Sequence, residues 1–437
     1  MIVNLIFGSL ALLSLALTLW QWLVARRFPL HQRVARPSTL KPQPSVTLLK
    51  PLKGCDPATE DCLRSWLTQQ YAGATQVLFG VASAEDPVCD IVRRLLKEFP
   101  GRDAQLVVCG APTGANAKVS QLVMIERQAK HDLLMISDAD VRVPPDLLAD
   151  LVAPLCPVPL AHPMGEGSGA RDCGLVCCFY RLANPSTLAM QWEAIATNAD
   201  FWSQVLQSRS LKPIDFALGA AMAIRRQQLQ EIGGFDALVD CLADDYQLGK
   251  RIARRGYSIA LSPVVVECWS APMGWAAVWK HQLRWARTIR VCQPVPYFFS
   301  LLSNATLWPL LWLIARPAAP VVACAVFCWL VRVLTALNLQ QRLNQYPDPR
   351  GRASSRPQSA PADGARENAR PHTPPARMQP PHRLPHKSSP VPWCYALLVP
   401  VKDLLQAAIW LLAFLGNRIE WRGERMRLRR DGTLVRG

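Results

Sequence analysis

Asp138-Ala-Asp140 follows an apolar run at residues 133–136 and Ser137, and precedes Val141-Arg-Val-Pro-Pro145. Carboxylates at i and i+2 in a loop can face one hard divalent cation together, and a diphosphate can complete its shell. The same residues also suit a loop that caps the helix begun by Pro144-Pro145, which is the commoner use of a short acidic loop. Asp244-Asp245 opens a helical run at 247–254 that ends at Gly256. One aspartate suffices as a cap, so a second can project into a cleft as a general base. Lys118, in Gly114-Ala-Asn-Ala-Lys118, begins another helix after a turn-rich stretch. It reads equally as a phosphate contact and as a solvated lysine. His281-Gln-Leu-Arg-Trp285, with Arg287 and Arg290, falls on an amphipathic helix just before an apolar stretch. A membrane-surface helix with snorkelling arginines and a Trp anchor explains that segment at least as well as catalysis does.

The elements that must position these residues alternate as strand and helix from about residue 44. Residues 45–52 read as a buried strand, followed by a helix from Asp56-Pro57 to about Gln70. Residues 76–83 form a second strand, followed by Asp86-Pro87 and a helix to Phe99; residues 105–109 and 133–136 give two more strands. Such alternation predicts an α/β domain with a mainly parallel sheet covered by helices on both faces. Ligands in such folds sit beyond the carboxyl ends of the strands, where Asp86, Asp138 and Asp140 fall.

Four strongly apolar stretches exclude an ordinary soluble protein. Residues 2–24 carry no charge, and Arg26, Arg27, Arg33 and Arg36 follow at once. This pattern reads as a signal anchor with the downstream domain in the cytoplasm, at a bacterial-type inner membrane. The formal net charge of +17 is concentrated in residues 25–53, 340–390 and 417–437. Charge placed beside membrane segments favours anionic headgroups over nucleic acid, and no nucleic-acid partner is expected. The fourteen cysteines are scattered, Cys173, Cys177 and Cys178 included, and read as small buried hydrophobes rather than a metal site.

The chain therefore divides into a transmembrane anchor (1–24), a basic linker (25–43) and a cytoplasmic catalytic domain (44–280). An interface helix with the Arg-Trp pair (281–297) and a transmembrane hairpin (298–337) follow. A disordered Pro/Arg-rich insertion (338–390), a membrane or re-entrant segment (391–416) and a basic tail (417–437) complete it. The segment 391–416 is assigned as re-entrant or interfacial because Lys402-Asp403 would be expensive at a bilayer centre.

The ordered series Asp86, Asp138-x-Asp140, Asp245 and Arg284-Trp285 resembles the ceramide glucosyltransferase family, family 21 of the membrane GT-A glycosyltransferases. Leu48-Leu-Lys-Pro-Leu-Lys-Gly54, Asp86-Pro87, Arg142-Val143, Asp245-Tyr246, Trp421-Arg422 and Arg427-Leu-Arg429 carry the same resemblance. It covers about residues 45–300 and resumes at 391–434. The resemblance implies a GT-A fold and an inverting transfer of one hexose from a UDP-sugar to a lipid hydroxyl. Asp86 would bind the nucleotide, and Asp138 and Asp140 would hold a divalent cation (Mg2+ or Mn2+) with the UDP-sugar. Lys118 would join the donor site, Asp245 would be the catalytic base, and Arg284-Trp285 would close the site near the bilayer. His281 stands where the family usually has Gln or Arg, and is assigned to the acceptor or the interface. Asp140 fills a position that is often not Asp in the family. Ceramide with UDP-glucose is the first expectation; a hopanoid with UDP-N-acetylglucosamine is the alternative, because some bacterial relatives glycosylate hopanoids. A processive polysaccharide synthase is weakened by too few transmembrane helices for a channel. A non-catalytic membrane scaffold is disfavoured because every acidic site is present, and a polybasic adaptor leaves the neutral α/β domain unexplained.

Overall fold

A computed structural model describes residues 2–33, 43–156, 172–345, 394–421 and 424–436. Its centre is an eight-stranded sheet made of β1 (Val46–Pro51), β2 (Thr75–Val81), β3 (Asp103–Val108), β4 (Leu133–Ser137), β5 (Val141–Arg142), β6 (Cys173–Leu182), β7 (Ala221–Arg225) and β8 (Ser258–Cys268). The order is β3-β2-β1-β4-β7-β6-β8-β5. β7 runs against β4 and β6, and β5 runs against β8; the other pairings are parallel. The expected mainly parallel sheet is therefore present, with one reversed strand at its centre. β1 is buried along its whole length, as a strand covered on both faces must be. Its alternate residues feed two cores: Leu49 joins one with Leu78, Leu134 and Ile136, and Leu48 joins the other with Val77, Phe79 and Met135.

Three sequence readings are corrected at the edges of this framework. Asp56-Pro57 forms a turn before the helix Thr59–Leu67, and no side chain caps that helix. The Asp56 N–H donates to the Thr59 hydroxyl at 2.8 Å. The expected insertion begins too early at 338, because the helix Ala319–Asn344 continues through it. Leu339 and Leu343 are buried there, Trp22 donates to Asn338 at 3.0 Å, and Arg181 donates to Asn344 at 3.2 Å. Contacts with the domain, rather than local hydropathy, extend that helix; the remainder of the insertion, 346–390, lies outside the described residues. The basic tail is a folded antiparallel sheet, β9 (Arg418–Trp421), β10 (Glu424–Leu428) and β11 (Leu434–Arg436). Leu434 N–H donates to the Asp240 carbonyl at 2.7 Å, so this sheet is pinned to the loop before Asp244.

Among the described residues three helices are long and apolar enough to cross a membrane: Ile2–Arg27, Ala319–Asn344 and Tyr395–Phe414. A fourth, Pro294–Ser303 with Leu307–Ala315, is bent by 55°, so the first arm of the expected hairpin is broken. The N-terminal helix buries Gly8, Ala11, Ser14, Thr18, Gln21 and Ala25. That is a small and polar stripe at three- and four-residue spacing, with the large apolar side chains left for lipid. The expensive Lys402-Asp403 pair is resolved by burial among partners. Arg332 bonds Asp200 at 2.9 Å and Asp403 at 2.7 Å, and Lys402 bonds Asp200. Thr306 donates to Asp403 at 2.6 Å. Two cations thus meet two carboxylates, all buried.

Candidate active site

The loop after β4 and the start of the helix Asp244–Arg254 approach each other through Lys118. This lysine is buried, and its Nζ lies 2.7 Å from Asp138 Oδ1 and 2.9 Å from Asp244 Oδ2. Burial works against its charge, but the two carboxylates outweigh that effect and hold the ammonium protonated. Asn116 positions it by capping the helix Ala117–Glu126, accepting from Val119 N–H. Lys118 is thus not a solvated lysine: it bridges the two aspartate motifs.

Asp244 is not a cap. The helix Asp244–Arg254 begins without any side-chain cap bond, and the Asp244 carboxylate is spent on Lys118. Asp245 Oδ1 accepts from the Tyr246 N–H at 2.8 Å. Burial, and next the charge of Asp244, push the Asp245 carboxyl up to about 7. Room for it comes from Gly219, where an added Cβ would stand 2.7 Å from Asp245 Oδ2. Asp140 is pushed up to about 6, by burial first and by Asp138 next. Tyr246 fixes the helix from the other side. Its hydroxyl donates to the Cys292 carbonyl at 2.7 Å and accepts from Gln293 at 3.0 Å, which ties it to the end of the Arg-Trp helix, Trp275–Cys292.

Other expected residues are placed differently. Asp86 Oδ1 and Oδ2 accept from Gly54 N–H at 3.0 and 3.1 Å, and Oδ1 also accepts from Val88 N–H at 3.0 Å. Its carboxylate therefore braces the loop after β1, where Gly54 adopts φ +67°. Trp285 packs edge-on to Tyr180 at 6.5 Å and near Phe201 at 6.0 Å. The half-buried Tyr180 phenol lies in the field of Asp245, Asp138 and Asp140, so Tyr180 stands between Trp285 and the aspartate cluster. Arg284, one position earlier, lines a separate cavity with the tail sheet. His281 Nδ1 is 2.5 Å from Glu193 Oε1, and its ring lies 5.3 Å from that of Trp285.

Two contributors escaped the sequence reading. Lys50 is fully buried in β1 and donates to Ser137 Oγ at 3.3 Å and to the Asp138 carbonyl at 2.5 Å. Burial pushes its pKa down to about 8. A charged residue inside the run Val46-Thr-Leu-Leu-Lys-Pro51 was the available signal, since a buried strand tolerates a lysine only with partners. Glu193, 3% exposed, holds both His281 and Gln282, the latter at 2.9 Å; a lone glutamate in an apolar helix was its signal.

The cluster has four carboxyl groups, Asp138, Asp140, Asp244 and Asp245, against the ammoniums of Lys50 and Lys118. Asp138 keeps its side chain 38% exposed. Hard oxygen donors, surplus negative charge and an open ligand position fit a divalent cation. Among the described residues no three His, Cys, Asp or Glu side chains gather into a full metal-binding group. Asp138 and Asp140 would therefore leave most of the shell to phosphate and water, the habit of Mg2+.

Residues 6–350 and 377–434 match the profile of Glycosyl transferase family 21. The chain belongs to that family. It is 27% identical over 236 residues to ceramide glucosyltransferase 1 of Caenorhabditis elegans, covering 54% of this chain and 47% of that protein. It is 31% identical over 121 residues to the ceramide glucosyltransferase of Candida albicans, covering 25% of this chain and 22% of that protein. The chain thus spans about half the length, or less, of these curated relatives. A mannosyltransferase from Pyrobaculum calidifontis, solved in complex with GDP-Man and Mn2+, superposes with TM-score 0.49 at 21% identity, over 78% of this chain and 96% of that one. The mainly parallel sheet covered by helices, with long apolar helices attached, agrees with the α/β architecture expected of a family 21 member.

Proposed function

We propose that this family 21 member is an inverting membrane glycosyltransferase that moves one hexose from a UDP-sugar to a lipid hydroxyl. The observation that carries the reading is Asp245. Its carboxyl is held near neutrality by burial and by Asp244, the pKa range in which a carboxylate serves as a general base. Asp245 removes the proton of the lipid hydroxyl, and the oxygen attacks the anomeric carbon from the face opposite UDP. The bond between that carbon and the diphosphate oxygen breaks, and UDP leaves with the electron pair. Asp138 and Asp140 would hold the divalent cation, which when bound supplies Lewis-acid stabilisation of the leaving diphosphate. Lys118 and Lys50 keep the Asp138 loop in place, and Asp86 stiffens the loop on the nucleotide side. Trp285, packed against Tyr180 and Phe201, and His281, edge-on to Trp285, form the wall against which the lipid acceptor lies.

UDP-glucose and a ceramide-like acceptor are the substrates favoured by the relatives' names. The domain lies on the cytoplasmic face, because Arg26 and Arg27 end the first apolar helix. The helix Cys394–Phe414 has Tyr395 and Val399 in the core beside Ala25 and Phe28, and its Ile409 and Ala413 pack with Ala286 of the Arg-Trp helix. Contacts with the domain from both ends support an interfacial course, which leaves the tail and the domain on one side. The test is mass spectrometry of lipids made by the purified full-length protein from UDP-glucose with ceramide or hopanoid supplied separately. Hexosylated ceramide is the expected product; folded protein that glycosylates the hopanoid alone, or neither lipid, overturns the assignment.

A further inference from the structure

Outside the carboxylate cluster, a cavity of about 1510 Å3 lies between the Arg-Trp helix, the end of the helix Cys394–Phe414 and the tail sheet. Among the described residues seven arginines and one lysine line it, against a single acidic lining residue, Glu420. Glu420 is already taken by Lys280 at 2.9 Å. Arg287 and Arg290 bind neutral oxygens, the Arg418 carbonyl and the Asn417 amide, so their charges are not cancelled there. Burial and the charge of Arg290 pull the Arg287 pKa down, a sign of cations crowded together. On β10, Met426 and Leu428 point into the small core under the tail, while Arg425 and Arg427 are exposed. This alternation sorts the two arginines onto one face of the strand. The floor is apolar and comes from Leu283, Phe414 and Leu415, with Arg290 lying 5.6 Å over the Phe414 ring.

We propose that this cavity binds the headgroup of an anionic phospholipid, distinct from donor and acceptor. A nucleotide-sugar with its metal fits the place poorly, because none of Asp86, Asp138, Asp140, Asp244 and Asp245 is in the lining. A lipid fits because the floor is the end of an apolar helix. Basic pockets beside membrane helices take phosphate-bearing headgroups in this way, with each Lys or Arg adding to the attraction. The volume exceeds that of an ordinary small-molecule site and leaves space for the glycerol and upper acyl chains. Bound lipid would neutralise the arginines that join the Arg-Trp helix to the tail, and so hold the tail against the loop before Asp244.

The test reads binding directly and does not depend on sugar transfer. Native mass spectrometry of the detergent-solubilised full chain is used to titrate phosphatidylglycerol and phosphatidylcholine. The wild type should retain phosphatidylglycerol preferentially, and R425Q/R427Q should lose about tenfold in that affinity. The charge-matched control R93Q/R429Q, on residues outside the lining, should bind as the wild type does. Single R425Q should give an intermediate loss and serves as the readout if the double variant does not fold. Excess UDP or inorganic phosphate should leave the lipid bound. Equal loss in the two double variants, no preference for phosphatidylglycerol, or displacement by UDP would each overturn the proposal.

Discussion

Two charge clusters in this protein use the same residue types to opposite ends. At the junction of domain and membrane helices, Arg332 and Lys402 face Asp200 and Asp403, all buried and mutually bonded. Charge is balanced there and no ligand position is left, so the cluster fastens helices. Beyond the sheet, four aspartates outnumber Lys50 and Lys118, and Asp138 stays open to solvent. Burial first, and that imbalance next, raise Asp140 and Asp245 toward neutrality, and the surplus of carboxylates leaves a place for an added cation. The difference teaches that function here lies in what a cluster leaves unsatisfied, not in how many charges it gathers.

Breaking each cluster at one cation separates them. Arg332→Met should destabilise the protein by about 3–5 kcal/mol, the usual consequence of orphaning buried charges, and no divalent ion should restore the loss. Lys118→Met should cost about 1–3 kcal/mol, and Mn2+ should recover part of it, because the ion can replace the missing ammonium at Asp138. Thermal melts of both variants with and without Mn2+ check the pair; equal rescue of Arg332→Met would erase the distinction.

A smaller effect is set by pH. Asp245 is raised from 3.8 to about 7, so the base form is lost on acidification, and transfer should fall about tenfold per unit below pH 7. Stability runs the other way for this group. In the folded state it keeps its proton to about 7, whereas unfolded it ionises near 3.8, so its stabilisation is full below pH 3.8 and lost as pH rises through 7. Asp244→Asn removes the like charge and should move the acid limb of the rate profile to lower pH by up to about one unit. A pH–rate profile that stays in place would show that Asp244 does not act on the base.

What was legible in the sequence was local. Asp138-x-Asp140 follows an apolar strand, and Asp245 opens a helix, so spacing and position alone brought them to one end of the sheet. The roles of Asp244 and Lys118 were not legible, because capping and solvation are satisfactory local explanations and their ion pair joins residues 118 and 244. The Lys402-Asp403 pair looked unaffordable for the same reason: its partners Asp200 and Arg332 are distant in the chain. The tail read as a run of charge, yet Met426, Leu428 and Leu434 give it a small core with Leu242. Strands β7 and β8 carried no motif and were placed only by pairing with strands distant in the chain, β7 with β4 and β6, and β8 with β6 and β5.

The central claim is that Asp245 is the base while the rest of the cluster binds. Replacing it by Asn preserves its shape and removes its basicity, so the decisive measurement is the sugar-transfer rate of Asp245→Asn beside its affinity for UDP with Mn2+. The account predicts a rate lower by about two to four orders of magnitude with the affinity nearly unchanged. A near-normal rate for Asp245→Asn, with transfer abolished in Asp244→Asn instead, would contradict it.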